Sequence, residues 1–268
     1  MIRALVLLLF PALASAADCS PDAAGEQQIL SAMTENARNY AQALPNFLAT
    51  RVTKRFLDPS GSGYRWRMVD TIEEHLSYFE HKETYRTVSV NGKPAAPGLQ
   101  PGLSTGGEFG SVLEDIFSPK TQADFKWKRC QTMHGTPMYV FEYRETKAKG
   151  VISFSMSQPA PRTTSMSELE GNQQVQVSVP YHGLIYADRQ TQKVMRLTIV
   201  SEMPKNFPMR EAVREIDYGW TPVGGGEYLL PQKVDVHARF RFTSMHNETE
   251  FLLYRKFEAD SVLKFDQK

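Results

Sequence analysis

The sequence contains few cysteines, no long apolar run and no excess of charge of one sign, and each of these absences excludes a class of protein. Two cysteines in 268 residues exclude a disulfide-rich scaffold and a cysteine-based zinc domain. No segment after the N-terminus approaches the roughly 18 apolar residues that a transmembrane helix requires. With 31 basic and 30 acidic residues, the composition offers no general attraction for nucleic acid.

Motifs of common enzymes are also missing, since the chain has no GxSxG, GxxxxGK[ST] or HExxH pattern. His81-Lys82-Glu83 resembles the start of a deaminase zinc site, but the required pair of cysteines does not follow. The paired acids Glu73-Glu74 and Glu114-Asp115 point apart on any regular element, so we interpret them as solvated charges. The six histidines are His75, His81, His134, His182, His237 and His246. We interpret them as surface residues and therefore predict no catalytic residue, no cofactor and no metal site.

The N-terminus has the pattern of a secretion signal. Arg3 precedes an apolar run over residues 4–13, and Ala14-Ser15-Ala16 is a small-x-small cleavage sequence. We predict that residues 1–16 are removed, which leaves 30 basic residues (31 less Arg3) against 30 acidic residues. Asp18 before Cys19 disfavours lipid attachment. The mature protein is thus expected in the periplasm or secreted, and not spanning a membrane.

Residues 17–268 are predicted to form a single domain, because strand-like runs continue from Phe47 to Phe257 without a low-complexity linker. In an oxidising compartment Cys19 and Cys130 could form a disulfide. The alternative is one buried thiol and one thiol on a frayed terminus.

Two segments have the pattern of amphipathic helices. The first is Asp22–Ala43, in which Asp22 can cap the helix and apolar residues recur every three or four positions. The second begins at a capping box formed by Thr105 and Glu108 and ends before Pro119. The glycines around Glu108 could cradle an anion through backbone N–H groups, or could simply form a hinge before the helix.

Most of the remaining chain alternates apolar and polar residues with the period of a β-strand, most clearly over Lys233–Phe242. The next turn is predicted at His246-Asn247. We predict an α+β, mainly β fold, in which ten to eleven antiparallel strands carry one apolar face. Such a face needs helices or a hydrophobic ligand against it. The predicted ligand-lining residues are Met195, Leu197, Ile199, Val234, Val236, Phe240 and Phe242.

The order of these elements resembles the LolA/LolB superfamily of periplasmic lipoprotein carriers and related lipid-binding proteins. The resemblance rests on Leu44-Pro45-Asn46-Phe47 before the first strand, the Asp188-Arg189-Gln190-Thr191 hairpin, and the return from Tyr218-Gly219-Trp220 to Leu230-Pro231. It implies a curved antiparallel half-barrel wrapped around two or more helices, with a hydrophobic cavity between them. The long segments Pro94–Gly107 and Gln158–Gly171 depart from the carriers and are additions.

From these features we predict a non-enzymatic, monomeric, exported protein that binds a lipid, an acyl chain or a lipoprotein in a hydrophobic cavity. The alternative is an interaction or envelope-sensor module whose core is fully packed and which has no small-molecule ligand. In that alternative the Gln158–Gly171 loop recognises an envelope protein.

Overall fold

The computed structural model describes residues 19–96, 103–147, 151–155 and 174–257, with residues 151–155 and 174–177 described as backbone only. The predicted signal peptide, residues 1–16, and the Gln158–Gly171 loop lie outside the described residues. No helix within the described ranges is long and apolar enough to cross a membrane.

An open antiparallel sheet of eleven strands dominates the described part of the chain and carries two helices. The helices are α1 (Ala23–Ala43) and α2 (Ser111–Phe117). The strands are β1 (Phe47–Asp58), β2 (Arg67–Phe79), β3 (Lys82–Val90), β4 (Lys93–Pro94), β5 (Asp124–Met133), β6 (Thr136–Glu145), β7 (Val151–Ser155), β8 (Gln174–Ser178), β9 (Tyr181–Asp188), β10 (Val194–Ser201), β11 (Met209–Val223), β12 (Gly226–Phe240) and β13 (Ser244–Lys256). The large sheet has the order β4-β3-β2-β1-β13-β12-β11-β10-β9-β6-β5, and β7 and β8 form a separate pair. The predicted α+β, mainly β class and the antiparallel sheet are confirmed.

The sheet bends around α1. The Ala41 carbonyl accepts a hydrogen bond from Tyr78 on β2, while Asn36 donates one to Thr191 in the β9–β10 turn. Asn36 and Ala41 are about 7.5 Å apart along the helix axis. Strands β2 and β10 are separated by five strand spacings, or about 24 Å in a flat sheet. The sheet must therefore curve, because β2 and the β9–β10 turn both contact the same one and a half turns of α1.

Helix α1 forms where the sequence predicts it, whereas α2 begins later than predicted. The Asp22 carboxylate accepts a hydrogen bond from the Gly25 N–H at 2.8 Å, and Met33 lies on the buried stripe of α1. Helix α2 starts after Gly110 with no side-chain cap. The predicted capping box at Glu108 is wrong, because that side chain is fully buried against the sheet and cannot reach back to a helix N-terminus.

Strand β12 is longer than predicted, and the hairpin that follows it is earlier. Pro231 does not break β12, because it lies at a bulge where the pairing with β11 shifts between Asp217 and Tyr218. The turn expected at His246-Asn247 instead lies at residues 241–243, and both residues belong to β13. Phe242 is consequently in the turn, where 70% of its surface is exposed.

Cys19 and Cys130 are joined by a disulfide with a Cα–Cα distance of 6.3 Å. This bond fastens the start of the described chain to β5, the strand at one edge of the large sheet. It closes a loop of 111 residues and so restricts the unfolded chain strongly.

Removing this bond should lower the free energy of unfolding by up to about 4–5 kcal/mol in the chain-entropy description. The test compares urea unfolding of the wild type and the Cys19→Ser/Cys130→Ser variant, with and without a reductant. Reductant should shift the wild-type curve onto that of the variant and leave the variant unchanged. Equal midpoints for the two oxidised proteins would show that the bond does not stabilise the fold.

Candidate functional site

Six of the seven predicted lining residues lie in or against one apolar core between the sheet and the helices. Leu197, Ile199, Val234 and Val236 are buried members of this core, and Met195 and Phe240 are half-buried against it. Phe242 does not join them, because it lies in the exposed β12–β13 turn. Leu197 and Val234 expose none of their surface, so they contact only protein in this conformation. Their role in binding a ligand remains a prediction.

The cover over one part of this core is the plug segment, defined here as residues 103–110, which leads directly into α2. Its Phe109 is 1% exposed and lies within an aromatic box. The rings of the box, with centroid distances to Phe109, are Phe47 at 5.2 Å, Phe251 at 5.2 Å, Tyr78 at 5.9 Å and Tyr254 at 6.4 Å. One aromatic side chain thus fills a pocket formed by three strands of the sheet.

Glycines on both sides of Phe109 give the plug segment its path. Gly107 has a φ of +86° and Gly110 a φ of +138°, and residues with a Cβ atom rarely adopt these backbone angles. A Cβ on Gly110 would also lie 2.5 Å from the Cβ of Ala41 in α1. The sequence therefore requires glycine here both for the turn and for the close approach of the two helices.

Side chains from the inner face of the sheet bind the backbone carbonyls of the plug segment. The pairs are Arg51 Nη1 with the Thr105 carbonyl at 2.8 Å, Arg214 Nη1 with the Gly106 carbonyl at 3.0 Å, and Asn247 Nδ2 with the Leu103 carbonyl at 2.8 Å. A non-helical backbone packed on a core needs such partners, since buried carbonyls without them destabilise the fold. Three strands therefore hold the plug segment through polar bonds.

The N–H groups of the plug segment bind the carboxylate of Glu83 on β3. Gly107 N–H donates to it at 2.9 Å and Phe109 N–H at 3.1 Å, while the Tyr85 hydroxyl donates at 2.8 Å. The glycine-rich stretch thus does cradle an anion, and that anion belongs to the chain itself. Burial and the neighbouring Glu108 raise the pKa of Glu83, although these three hydrogen bonds oppose the shift.

A buried ion pair supports the same region from below. Arg51 Nη2 lies 2.6 Å from Glu74 Oε2, with both side chains at most 6% exposed, and the Arg51 guanidinium stacks 3.7 Å above the ring of Tyr85. The prediction that Glu74 is a solvated charge is wrong. It shares the inner face of β2 with Ile72 and Leu76, and this phase is the sequence signal that identifies it.

Glu108 is the second buried acid that the sequence interpretation missed. Its Oε1 lies 3.4 Å from Arg214 Nη1, and its Oε2 has no hydrogen-bond partner among the described residues. With Arg51, Glu74 and Glu83, the cluster holds two cations and three carboxylates. One negative charge is therefore in excess, which explains why Glu108 raises the pKa of Glu83.

The space beneath the plug segment is nearly filled. A polar cavity of about 10 Å³ lies beside Arg51, Thr105 and Val236, which is room for about one water molecule. An open groove of about 960 Å³ runs between α1 and the residues after α2, but most of its lining residues are polar or charged, for example Arg38, Glu114 and Lys120. An acyl chain that enters the apolar core at this point must therefore displace the plug segment.

Comparisons with known proteins find similarity in fold only. No protein-family model matches the chain, and no curated protein matches its sequence.

The structure is similar to that of a LolA superfamily protein from Nitrosomonas europaea, with a TM-score of 0.37, 8% identity, and coverage of 86% of this chain and 94% of that chain. It is also similar to a DUF1329 family protein from Desulfovibrio piger, with a TM-score of 0.39, 9% identity and coverage of 87% and 95%. A third similar structure is a domain from Vibrio parahaemolyticus described as an outer membrane lipoprotein-sorting protein. Its TM-score is 0.37 and its identity 9%, and the match covers 85% of this chain and 92% of that chain. Two of these three structures are described as a LolA superfamily protein and a lipoprotein-sorting protein domain, the group that the sequence resembles.

We expect Arg51→Ala to lower the free energy of unfolding by about 3–5 kcal/mol, because it leaves the Glu74 carboxylate buried without its partner. Lys128→Ala is the control, since Lys128 forms an ion pair with Glu142 in which the two side chains are 48% and 41% exposed. Breaking that exposed pair should cost at most about 1 kcal/mol. Chemical unfolding of both variants measures the difference, and equal losses would contradict a special role for the buried pair.

Glu83 should give the stability an unusual pH dependence. Because its pKa is higher in the folded than in the unfolded chain, its contribution to stability is full below about pH 4.3 and is lost as the pH rises through the folded value. The side chain of a Glu83→Gln variant does not titrate. Unfolding measured from about pH 4 to pH 8 should therefore increasingly favour this variant over the wild type. Exposed Glu35→Gln is the control, and a Glu83→Gln profile parallel to the wild type would refute the assignment.

Proposed function

We propose that the protein is an exported, non-enzymatic carrier that shelters an acyl chain, free or attached to a lipoprotein, between the curved sheet and its helices. The observation that supports this proposal is the plug segment, which fills an aromatic box with Phe109, buries Leu103 and is otherwise held by polar bonds. In the proposed cycle the plug segment moves outward about Gly110 while α2 stays in place, and the acyl chain takes the place of Phe109.

The contacts of the plug segment favour such an exchange. Its backbone groups bind side chains of the sheet, and water replaces these hydrogen bonds on opening. Each bond therefore contributes only about 0.5–1.5 kcal/mol where the partner is neutral and about 1.5–3 kcal/mol where it is charged. Gly107 and Gly110 supply turning points on either side of Phe109. The segment can thus leave without unfolding a strand.

An acyl chain supplies free energy toward this exchange. Exposing Leu103 and Phe109 costs about 3–6 kcal/mol, whereas burying ten methylene groups gains about 8 kcal/mol. The difference offsets part of the lost polar bonds and of the ordering of the ligand. The aromatic box would contact the chain first, and Leu197 and Val234 would line its path deeper into the core.

A second candidate function is an interaction module without a small-molecule ligand. It is favoured by the complete burial of Leu197 and Val234, which shows a packed core in this conformation. The two functions differ in whether the core accepts an apolar ligand.

Native mass spectrometry of protein purified from the periplasm of its expression host, followed by organic extraction, tests for a retained ligand. A stoichiometric adduct of lipid mass is expected, and its extraction identifies the ligand class. A protein that carries no adduct and takes up neither added phospholipid nor fatty acid would support the interaction module.

Phe109→Ala separates ligand binding from packing. It should lower the free energy of unfolding by about 3–5 kcal/mol through loss of a buried ring. A long-chain fatty acid should then raise the melting temperature of this variant more than that of the wild type, since the vacated box accepts the chain. Met138→Ala, in a separate buried cluster with Val140 and Tyr186, is the control and should show no such recovery. Equal effects of fatty acid on both variants would contradict the carrier proposal.

A further inference from the structure

A cluster of two histidines and one aspartate lies on the outer face of the β12–β13 hairpin, opposite to the apolar core. The residues are Asp235 and His237 on β12 and His246 on β13. Residues two apart on a strand share a face, and His237 is directly paired with His246 in the antiparallel register. The hairpin itself therefore brings the three side chains together, although they span twelve positions of the sequence.

Their ligand atoms converge. The Nε2 atoms of His237 and His246 each lie 3.0 Å from Oδ1 of Asp235, and all three ligand atoms lie within 4.8 Å of one another. The two imidazole rings are nearly parallel, with an interplanar angle of 13° and centroids 4.0 Å apart. Both rings thus present the same nitrogen to one carboxylate.

This spacing matches the coordination sphere of a first-row divalent metal. Zinc binds histidine nitrogen at about 2.0–2.1 Å and carboxylate oxygen at about 2.0–2.2 Å, which places neighbouring ligand atoms about 2.8–3.5 Å apart for angles between 90° and 109°. The two pairs that include Asp235 Oδ1 already have this spacing, and binding requires the stacked imidazoles to turn so that both Nε2 atoms face one ion. Two imidazoles and one carboxylate are also a donor set that such metals accept.

The surroundings of the cluster add support and charge. Trp66 packs edge-on against both imidazoles, with centroid distances of 6.0 Å to His237 and 5.6 Å to His246, and Phe56 stacks on His246 at 5.5 Å. These rings hold the imidazoles in place on one side.

Two further carboxylates flank the site, since Glu215 and Glu248 are the cross-strand partners of Asp235. Glu215 is already paired with Arg196 at 3.3 Å, so Glu248 is the flanking carboxylate that favours a cation in this part of the sheet. The side chain of His246 is 15% exposed and that of His237 is 50% exposed, so one side of the site is open to solvent.

We propose that Asp235, His237 and His246 form a binding site for a divalent first-row transition metal such as Zn²⁺. Three protein donors leave at least one coordination position for water or for a donor from another molecule. The open side at His237 places that position toward solvent. The site lies on the opposite face from the plug segment, so the proposal does not depend on acyl-chain binding.

Calorimetric titration of the untagged, chelator-treated protein with Zn²⁺ tests the site. One ion per chain is expected, with affinity at least about tenfold weaker in His237→Ala and Asp235→Asn, since each change removes one ligand. His182→Ala is the matched control, because His182 also lies beside a carboxylate, 3.1 Å from Glu202, but outside the cluster. The His182→Ala variant should bind Zn²⁺ as tightly as the wild type. The absence of stoichiometric binding, or an equal loss in His182→Ala, would show that the cluster is only hydrogen-bonded.

Trp66 provides a second readout that does not depend on comparing affinities. Bound Ni²⁺ should quench its fluorescence, and Trp66→Phe should remove that quenching while Zn²⁺ binding persists. Because His237 is half-exposed, His237→Gln is expected to fold and should abolish the quenching as well. Quenching that persists in folded His237→Gln would place the ion elsewhere and overturn the proposal.

Discussion

The structure depends on one constraint, which is that a wide open sheet with a single apolar face must be covered. Eleven strands supply that face, whereas the two helices among the described residues contain only 21 and 7 residues. Curvature around α1 reduces the area to be covered, and the plug segment covers a further part. Since this segment is not helical, its carbonyl and N–H groups need partners inside the protein. The buried polar side chains of Arg51, Arg214 and Glu83 are therefore a consequence of using a loop as part of the cover.

The charges in that cover are unequal, and this inequality affects how firmly it is held. Two arginines face three carboxylates. Glu83 accepts hydrogen bonds from N–H groups of the plug segment, while the nearby Glu108 carboxylate opposes the ionisation of Glu83. Acidification relieves that repulsion and so favours the closed arrangement, whereas neutral pH weakens it. A cover held by polar bonds under mild repulsion opens more easily than one held by apolar packing alone. Phe109 and Leu103 supply the apolar contacts that keep it closed.

Local patterns in the sequence predict most of the fold but little of the site. Period-two alternation identifies the strands, and the cap at Asp22 with the spacing of its apolar residues identifies α1, because those signals are contained within single elements. The pairing of Arg51 with Glu74 depends on the register between β1 and β2, which no local pattern specifies. The burial of Glu108 depends on where a loop crosses the sheet. Even so, a charged residue in phase with apolar neighbours on one strand, as at Arg51, was a signal of an inward-facing charge.

The same reasoning explains why the sequence interpretation does not bring the histidines together. His237 and His246 are nine positions apart, and a turn at His246-Asn247 leaves no strand pairing between them. The observed turn at residues 241–243 makes them direct partners on the outer face. On the inner face the next residue, Asn247, holds the Leu103 carbonyl of the plug segment. An ion bound by His237 and His246 would cross-link β12 to β13 at the position beside Asn247. Because adjacent residues of a strand face opposite sides, stiffening this hairpin from outside restrains a residue that holds the cover inside.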